Sequence, residues 1–231
     1  LIQLHDKKVI DKNISANNLI YHSKSQNFCL IDFSSASTIK QKKHLLGGAD
    51  IISGDLNYIS PEQTGRINRQ VDHRSDLYST GIVLYELVTG VLPFSDSDVR
   101  ETIYGHIALI PEAPSTRNNA IPEKLSEVIM KLIEKDADSR YQSAVGLKKD
   151  LQRIQTELVK GQISDFSIGE YDKSITLSLS QKLYGRENEI KELTGHLEEI
   201  VEGGFGVDMV YGYSGSGKSS LVHEVYKTLA K

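Results

Sequence analysis

The sequence predicts an α+β chain in two unequal parts: a mostly helical unit with one small β-hairpin, then a linker, then the opening of an α/β unit. Three observations predict this. Apolar residues recur at helical spacing through most of residues 76–159, two short apolar runs flank one polar turn near the start, and composition changes at Gly161. The 231 residues suit one or two domains. With 25% charged and 39% hydrophobic residues, collagen, coiled coil and wholesale disorder are excluded. Lys and Arg total 27 against 31 Asp and Glu, and the net charge of −4 supplies no basic field for nucleic acid or an anionic membrane. The single cysteine, Cys29, rules out an internal disulfide and suits a reducing, cytoplasmic setting. No apolar run reaches the ~20 residues of a membrane span, and no leader pattern is visible. The pattern begins mid-helix at Leu1, so the chain reads as a fragment.

Leu1–His5 is the tail of an amphipathic helix, followed by the apolar pair Val9-Ile10 and a polar, Asn-rich stretch from Asp11 to Asn18. Leu19–Tyr21 and Phe28–Ile31 are short strands around the turn Ser23–Asn27. Ser34–Ser60 is long, polar and weakly periodic, which marks a functional or mobile segment. Its Lys40, Lys42, Lys43 and His44 form a basic cluster that reads as a solvated loop or a docking patch. Asp76–Thr89 is apolar nearly all round, as a buried helix is, and stops at Gly90. Asp98–Leu109 is a more polar helix. Glu123–Lys135 has a clean one-sided period behind Pro122, and Ser143–Val159 is a further helix. Gly161–Lys182, rich in Ser and Asp, reads as a linker. Beyond it, Glu187–Val201 is helical, Val207–Tyr211 is a buried-strand candidate and Lys218–Ala230 is a helix. The expected boundaries are therefore 1–160, 161–182 and 183–231.

The sharpest local motif is Gly212-Tyr213-Ser214-Gly215-Ser216-Gly217-Lys218-Ser219, which fits G-x-x-x-x-G-K-[ST]. Gly212, Gly215 and Gly217 let backbone N–H groups turn inward around phosphate oxygens. Lys218 adds a point charge for the β/γ-phosphates, and Ser219 offers a hydroxyl to Mg²⁺. The following helix presents its N-terminus to the phosphates. The loop predicts ATP binding with Mg²⁺. The acidic and water-orienting groups that hydrolysis needs normally follow later in such a chain.

The first half carries a constellation of weak motifs in a specific order. Asn13 and Asn18 lie five apart, Asp32-Phe33-Ser34 follows, then Ser60-Pro61-Glu62, Ser75–Gly81 and Asp138-Ser139-Arg140. Here residues 1–160 resemble the C-terminal lobe of a serine/threonine protein kinase. The run Tyr58–Arg66, with Leu183-Tyr184-Gly185-Arg186-Glu187 and the glycine-rich loop, resembles hybrid signalling proteins. In those, a kinase-like domain precedes a STAND/AAA-type ATPase, usually followed by sensor and histidine-kinase modules. The resemblance implies a Mg²⁺ ligand at Asp32, the D-F-G aspartate position, and a second at Asn18, the catalytic-loop asparagine. It also implies a structural ion pair between Glu62 and Arg140. Asp76 takes the place of a helix aspartate that accepts backbone N–H bonds from the catalytic loop. Tyr184–Glu187 takes the place of the entry motif near the nucleotide base. ATP, Mg²⁺ and a protein substrate or partner domains of the same polypeptide are the implied partners.

The departures from that pattern bear on activity. H-x-D-x-x-x-x-N becomes Asp11-Lys12-Asn13-Ile14-Ser15-Ala16-Asn17-Asn18, so Asn13 stands at the catalytic-base position and Asp11 replaces the histidine. An amide orients a hydroxyl but does not take its proton, and a positioned base contributes roughly 10²–10⁴-fold. Ser34 replaces the D-F-G glycine, restricting positive φ there. Asp55 replaces the threonine that hydrogen-bonds the base. The Gly-rich loop and phosphate-pairing lysine of an N-terminal lobe find no match. These features lead to the expectation of a catalytically impaired fragment, with two alternatives: a pseudokinase regulatory module without phosphotransfer, or an inactive truncated product.

Overall fold

The structure is a computed structural model that describes residues 1–38, 54–67, 69–161, 163–172, 185–201, 204–213, 216–218, 221–222 and 225. It runs α1 (Ile2–Asp6), β1 (Val9–Ile10), β2 (Leu19–His22), β3 (Asn27–Leu30), β4 (Ser37–Thr38), α2 (His73–Thr89), α3 (Val99–Ala108), α4 (Pro114–Arg117), α5 (Glu123–Leu132), α6 (Ala144–Val159) and α7 (Glu187–Val201). Short 3₁₀ turns cover Ala16–Asn18 and Pro61–Thr64. Two compact units form, Leu1–Thr176 and Leu177–Lys231. The basic cluster Lys40–His44 lies outside the described residues, as do Tyr184, Gly215 and Ser219.

In the first unit α2 is the central element. Asp72 caps it by accepting the Arg74 backbone N–H, and Gly90 ends it in the left-handed conformation at φ 76°. Its near-uniform apolarity has a direct cause, because it is packed on more than one side. Tyr78, Ile82, Val83 and Tyr85 join Ile14, Tyr58, Phe94, Ile129 and Ile133 in one core. Leu77 joins Val128, Leu132, Tyr141, Leu147, Ile154 and Phe166 in a second. Helix α5 feeds both cores, which is why its one apolar face is so regular. The hairpin pairs antiparallel as Leu19↔Leu30, Ile20↔Cys29, Tyr21↔Phe28 and His22↔Asn27, with the Tyr21 and Phe28 rings 4.9 Å apart. Strand β1 pairs with β4, a partner the sequence did not suggest.

Residues 163–172, read from the sequence as part of a linker, are docked as a strap on α5 and α6. Phe166 is buried, with the Arg153 guanidinium 4.1 Å from its ring centre. Asp165 pairs with Lys124 at 2.7 Å, and the Ser164 N–H donates to Glu157 at 2.7 Å. The Gly169 N–H donates to Asp150, which also accepts the Tyr141 hydroxyl, both at 2.6 Å. Asp172 closes over the start of α6, where it accepts from Ser143 Oγ at 2.8 Å. A Cβ at Gly146 would overlap Asp172, so the glycine admits the strap. Ile163 and Ile168 pack against the second core beside Phe166, and Lys149 Nζ lies 4.9 Å from the Tyr171 ring centre, but these apolar residues are scattered among Ser, Asp and Gly at no regular period, so composition hid the docking.

In the second unit α7 matches its expected span. Val207–Tyr211, expected as a buried strand, has no strand structure and is exposed, with Met209 at 82% and Tyr211 at 89%. A strand is held by ladder partners, and among the described residues this unit presents none. Residues 218, 221, 222 and 225 are helical, with Leu221 and Val225 buried. Among the described residues no helix is long and apolar enough to cross a membrane.

Candidate active site

The loop from Asp11 to Asn18 is tied down from beneath by α2. Asp76, in the first turn of that helix and 1% exposed, accepts the Asp11 N–H at 3.0 Å and the Lys12 N–H at 2.9 Å. His5 Nε2 lies 3.0 Å from the same carboxylate. A helix N-terminus favours a carboxylate at that place. Lys12 takes the left-handed conformation, φ 69°, and Gln63 Nε2 donates to its carbonyl at 2.9 Å. Gly54, at φ 108°, passes so close that a Cβ would stand 2.7 Å from the same carbonyl oxygen. Gly54 therefore lets Asp55 reach the loop.

Asn13 is fixed on four sides. Its N–H donates to Asp11 Oδ1 at 3.0 Å, and its carbonyl accepts Asn18 Nδ2 at 2.8 Å. Its side-chain Oδ1 accepts the Asp55 N–H at 3.2 Å, and its Nδ2 donates to Asp32 Oδ2 at 3.0 Å. Asp32 lies at φ 61°, and its Oδ1 accepts the Ser34 N–H at 3.2 Å. Hydrogen bonds from Ser34, then Asn13, hold the Asp32 carboxyl below its ordinary pKa. The left-handed residue of this loop is thus Asp32, an aspartate that tolerates it, and Ser34 is not among the positive-φ residues. Asp11 is fully buried, and burial raises its pKa against the opposing Asn13 N–H bond.

The structure brings Asn13, Asn18 and Asp32 together over Asp76. Asn18 spends its amide N–H₂ on Asn13, leaving its oxygen to offer, and Asp32 offers a carboxylate. An all-oxygen pair of this kind fits Mg²⁺, which is commonly held by one or two carboxylates plus phosphate oxygens. Glu62 and Arg140 form a separate, buried pair. Arg140 donates from both terminal nitrogens to the two Glu62 oxygens at 2.8 and 2.9 Å, and Ser75 Oγ adds a bond at 2.7 Å. Burial pushes the Glu62 carboxyl up, but the Arg140 guanidinium overrides it and leaves the pKa lowered. In the second unit Gly217 is left-handed at φ 84°, and Lys218 Nζ donates to the Gly212 and Tyr213 carbonyls, each at 2.9 Å. Sequence reasoning missed the supports supplied by His5, Gln63 and Gly54. Each acts through one long-range polar contact that leaves no spacing signal.

This lobe, with its loop seated on a buried helix aspartate, defines a protein-kinase-type fold. Residues 1–151 match the protein kinase domain family, and the chain belongs to it. Residues 182–231 match the AAA ATPase domain. The chain is 38% identical over 191 residues to the hybrid signal transduction histidine kinase G of Dictyostelium discoideum, covering 74% of this chain and 6% of that protein. It is 34% identical over 157 residues to a probable serine/threonine-protein kinase of Clostridium perfringens, covering 66% and 22%. To serine/threonine-protein kinase PknB of Mycolicibacterium smegmatis it is 32% identical over 150 residues, covering 65% and 24%. The chain thus spans less than a quarter of the length of each of these relatives.

Proposed function

We propose that the first unit is a kinase-fold regulatory module with impaired phosphotransfer, working beside an ATP-binding P-loop unit in a multidomain signalling polypeptide. Asn18 and Asp32 would hold Mg²⁺ in the kinase-type cleft, and Lys218 and Ser219 would serve the phosphates and metal in the second unit. Bound Mg²⁺ supplies charge neutralisation to the ATP phosphates. Sensor and histidine-kinase modules are the partners this reading expects; the name of the Dictyostelium relative includes a histidine kinase.

One observation carries the reading. Both polar atoms of the Asn13 amide are engaged, its oxygen by the Asp55 N–H and its nitrogen by Asp32. An amide takes up no proton near neutral pH, and both of its polar atoms already have partners, so Asn13 does not act as a base. The surrounding loop is nonetheless fully supported by Asp76, Gln63 and Gly54, so the defect is chemical and local.

Phosphoryl transfer from labelled ATP to a generic protein substrate tests this in the polypeptide expressed from its gene. Asn13→Asp should raise the rate by about 10²-fold or more. A substantial rate in the unmodified protein that Asn13→Asp hardly changes would sink the reading.

A further inference from the structure

We propose that Asn13 is a positioning residue that stands in for a cation at Asp32, so that the kinase-type loop stays arranged without divalent metal. The inference rests on the kinase-type reading of the loop given above. The orientation of the Asn13 amide is not arbitrary. Its oxygen faces a backbone donor, Asp55 N–H at 3.2 Å, and its nitrogen faces a carboxylate oxygen of Asp32 at 3.0 Å. Flipping the amide would set donor against donor on one side and acceptor against acceptor on the other. The Asp55 contact, backed by the close passage of Gly54 over Lys12, therefore holds the N–H₂ toward Asp32.

An aspartate at position 13 could still accept the Asp55 N–H. Its second oxygen would then lie against the Asp32 carboxylate, and two carboxylates at hydrogen-bond distance need a proton or a cation between them. Asparagine removes that need, because two neutral donors, Asn13 Nδ2 and the Ser34 N–H, already meet the two Asp32 oxygens. The substitution that withdraws a proton acceptor thus also withdraws a requirement for metal. Charge, donors and backbone support agree on asparagine, whereas random loss of a catalytic aspartate would require no such match.

Thermal melting of the 231-residue chain, in EDTA and in millimolar MgCl₂ at matched ionic strength with no nucleotide, tests the proposal. The unmodified chain should melt at the same temperature in both. Asn13→Asp should melt lower in EDTA, by on the order of 2 °C, and Mg²⁺ should restore most of the loss. The exchanged pair, Asn13→Asp with Asp32→Asn, keeps one carboxylate and one amide. It should melt like the unmodified chain and ignore Mg²⁺. The proposal is overturned if Mg²⁺ raises the unmodified chain as much as Asn13→Asp, if Asn13→Asp shows no Mg²⁺-dependent difference, or if the exchanged pair stays as low as the single variant. Failure here alongside a gain of phosphotransfer in Asn13→Asp would leave the functional reading intact. The expected melting pattern without a gain in rate would remove that reading alone.

Discussion

Charged side chains in the first unit obey opposite rules in the interior and at the loop rim. Glu62, Arg140 and Asp76 are almost fully buried, and each has several partners. Asn13, half-buried, and Asp32, exposed, share one hydrogen bond at the solvent edge, where water reaches the Asp32 carboxylate. Losing a partner in the first group strands a charge in low dielectric, whereas a change in the second group is partly screened by water and has a smaller effect. This difference shows how the buried scaffold holds its shape while a side chain at the rim, such as that at position 13, changes. The scaffold is guarded by desolvation and the chemistry is not.

The comparison breaks most visibly at Arg140. Arg140→Met leaves Glu62 buried without its guanidinium, and also frees the Glu134 and Lys135 carbonyls that Arg140 now serves. Breaking a buried pair costs about 3–5 kcal/mol. In a chain of this size that should lower the melting temperature by roughly 10 °C. Replacing Glu62 as well, Glu62→Leu with Arg140→Met, should recover part of the loss. If Arg140→Met melts normally, the buried Glu62–Arg140 pair does not hold this scaffold together.

Next in size is Phe166. Phe166→Ala should cost roughly 3 kcal/mol by denaturant unfolding, since it empties a buried site roofed by Arg153. A true linker residue would show almost no effect, so this variant separates a docked strap from a tether. The contrast also marks what was legible in the sequence. Helices α5 and α6 announced themselves because each buries a repeating face, α2 because it is apolar nearly all round, and the hairpin because a polar turn divides two apolar runs. The strap did not, because Ile163, Phe166, Ile168 and Tyr171 are irregularly spaced among Ser, Asp and Gly. Val207–Tyr211 erred the other way, since its apolar run was read without a partner strand to hold it. At the site, residue order located Asn13, Asn18 and Asp32. The amide's orientation came only from Gly54 and Asp55, some forty positions away, and no local pattern encodes it.

A pH series sharpens the comparison through His106, another buried group. Burial first, then the nearby Lys135 charge, lowers its pKa to about 3, and the Tyr78 hydroxyl lies 3.0 Å from its Nδ1. Between pH 6.5 and 3 the unfolded chain binds a proton that the folded chain refuses, so stability falls as pH drops through that window and is unaffected by this group above it. Glu62 and the other carboxylates with lowered pKa are fully stabilising above their unfolded values, at or below pH 4.5, and lose that contribution only as pH falls through them. The fall between pH 6.5 and 5 should therefore come from His106, opposed by the raised carboxyl of Asp11, and His106→Asn should remove the fall. An unchanged slope in that variant would assign the acid limb elsewhere.

The smallest effect should come from a second arginine that, like Arg140, pairs through both terminal nitrogens, but at the surface. Arg69 donates from its two terminal nitrogens to Asp136 and Asp138, both at 2.6 Å, yet those carboxylates are 42% and 43% exposed. Water replaces most of what the guanidinium provides, and exposed pairs typically contribute about 0.2–1 kcal/mol. Asp138 also keeps Arg74 at 2.7 Å when Arg69 is removed. Arg69→Ala should thus lower stability by about 0.5 kcal/mol at low salt, and by less in 1 M NaCl, where the Debye length is about 3 Å. Arg140→Met should be nearly insensitive to salt, because its partner is out of reach of the ions. If Arg69→Ala matched Arg140→Met in size, or if both lost their effect in salt together, burial would not be what separates the scaffold from the rim.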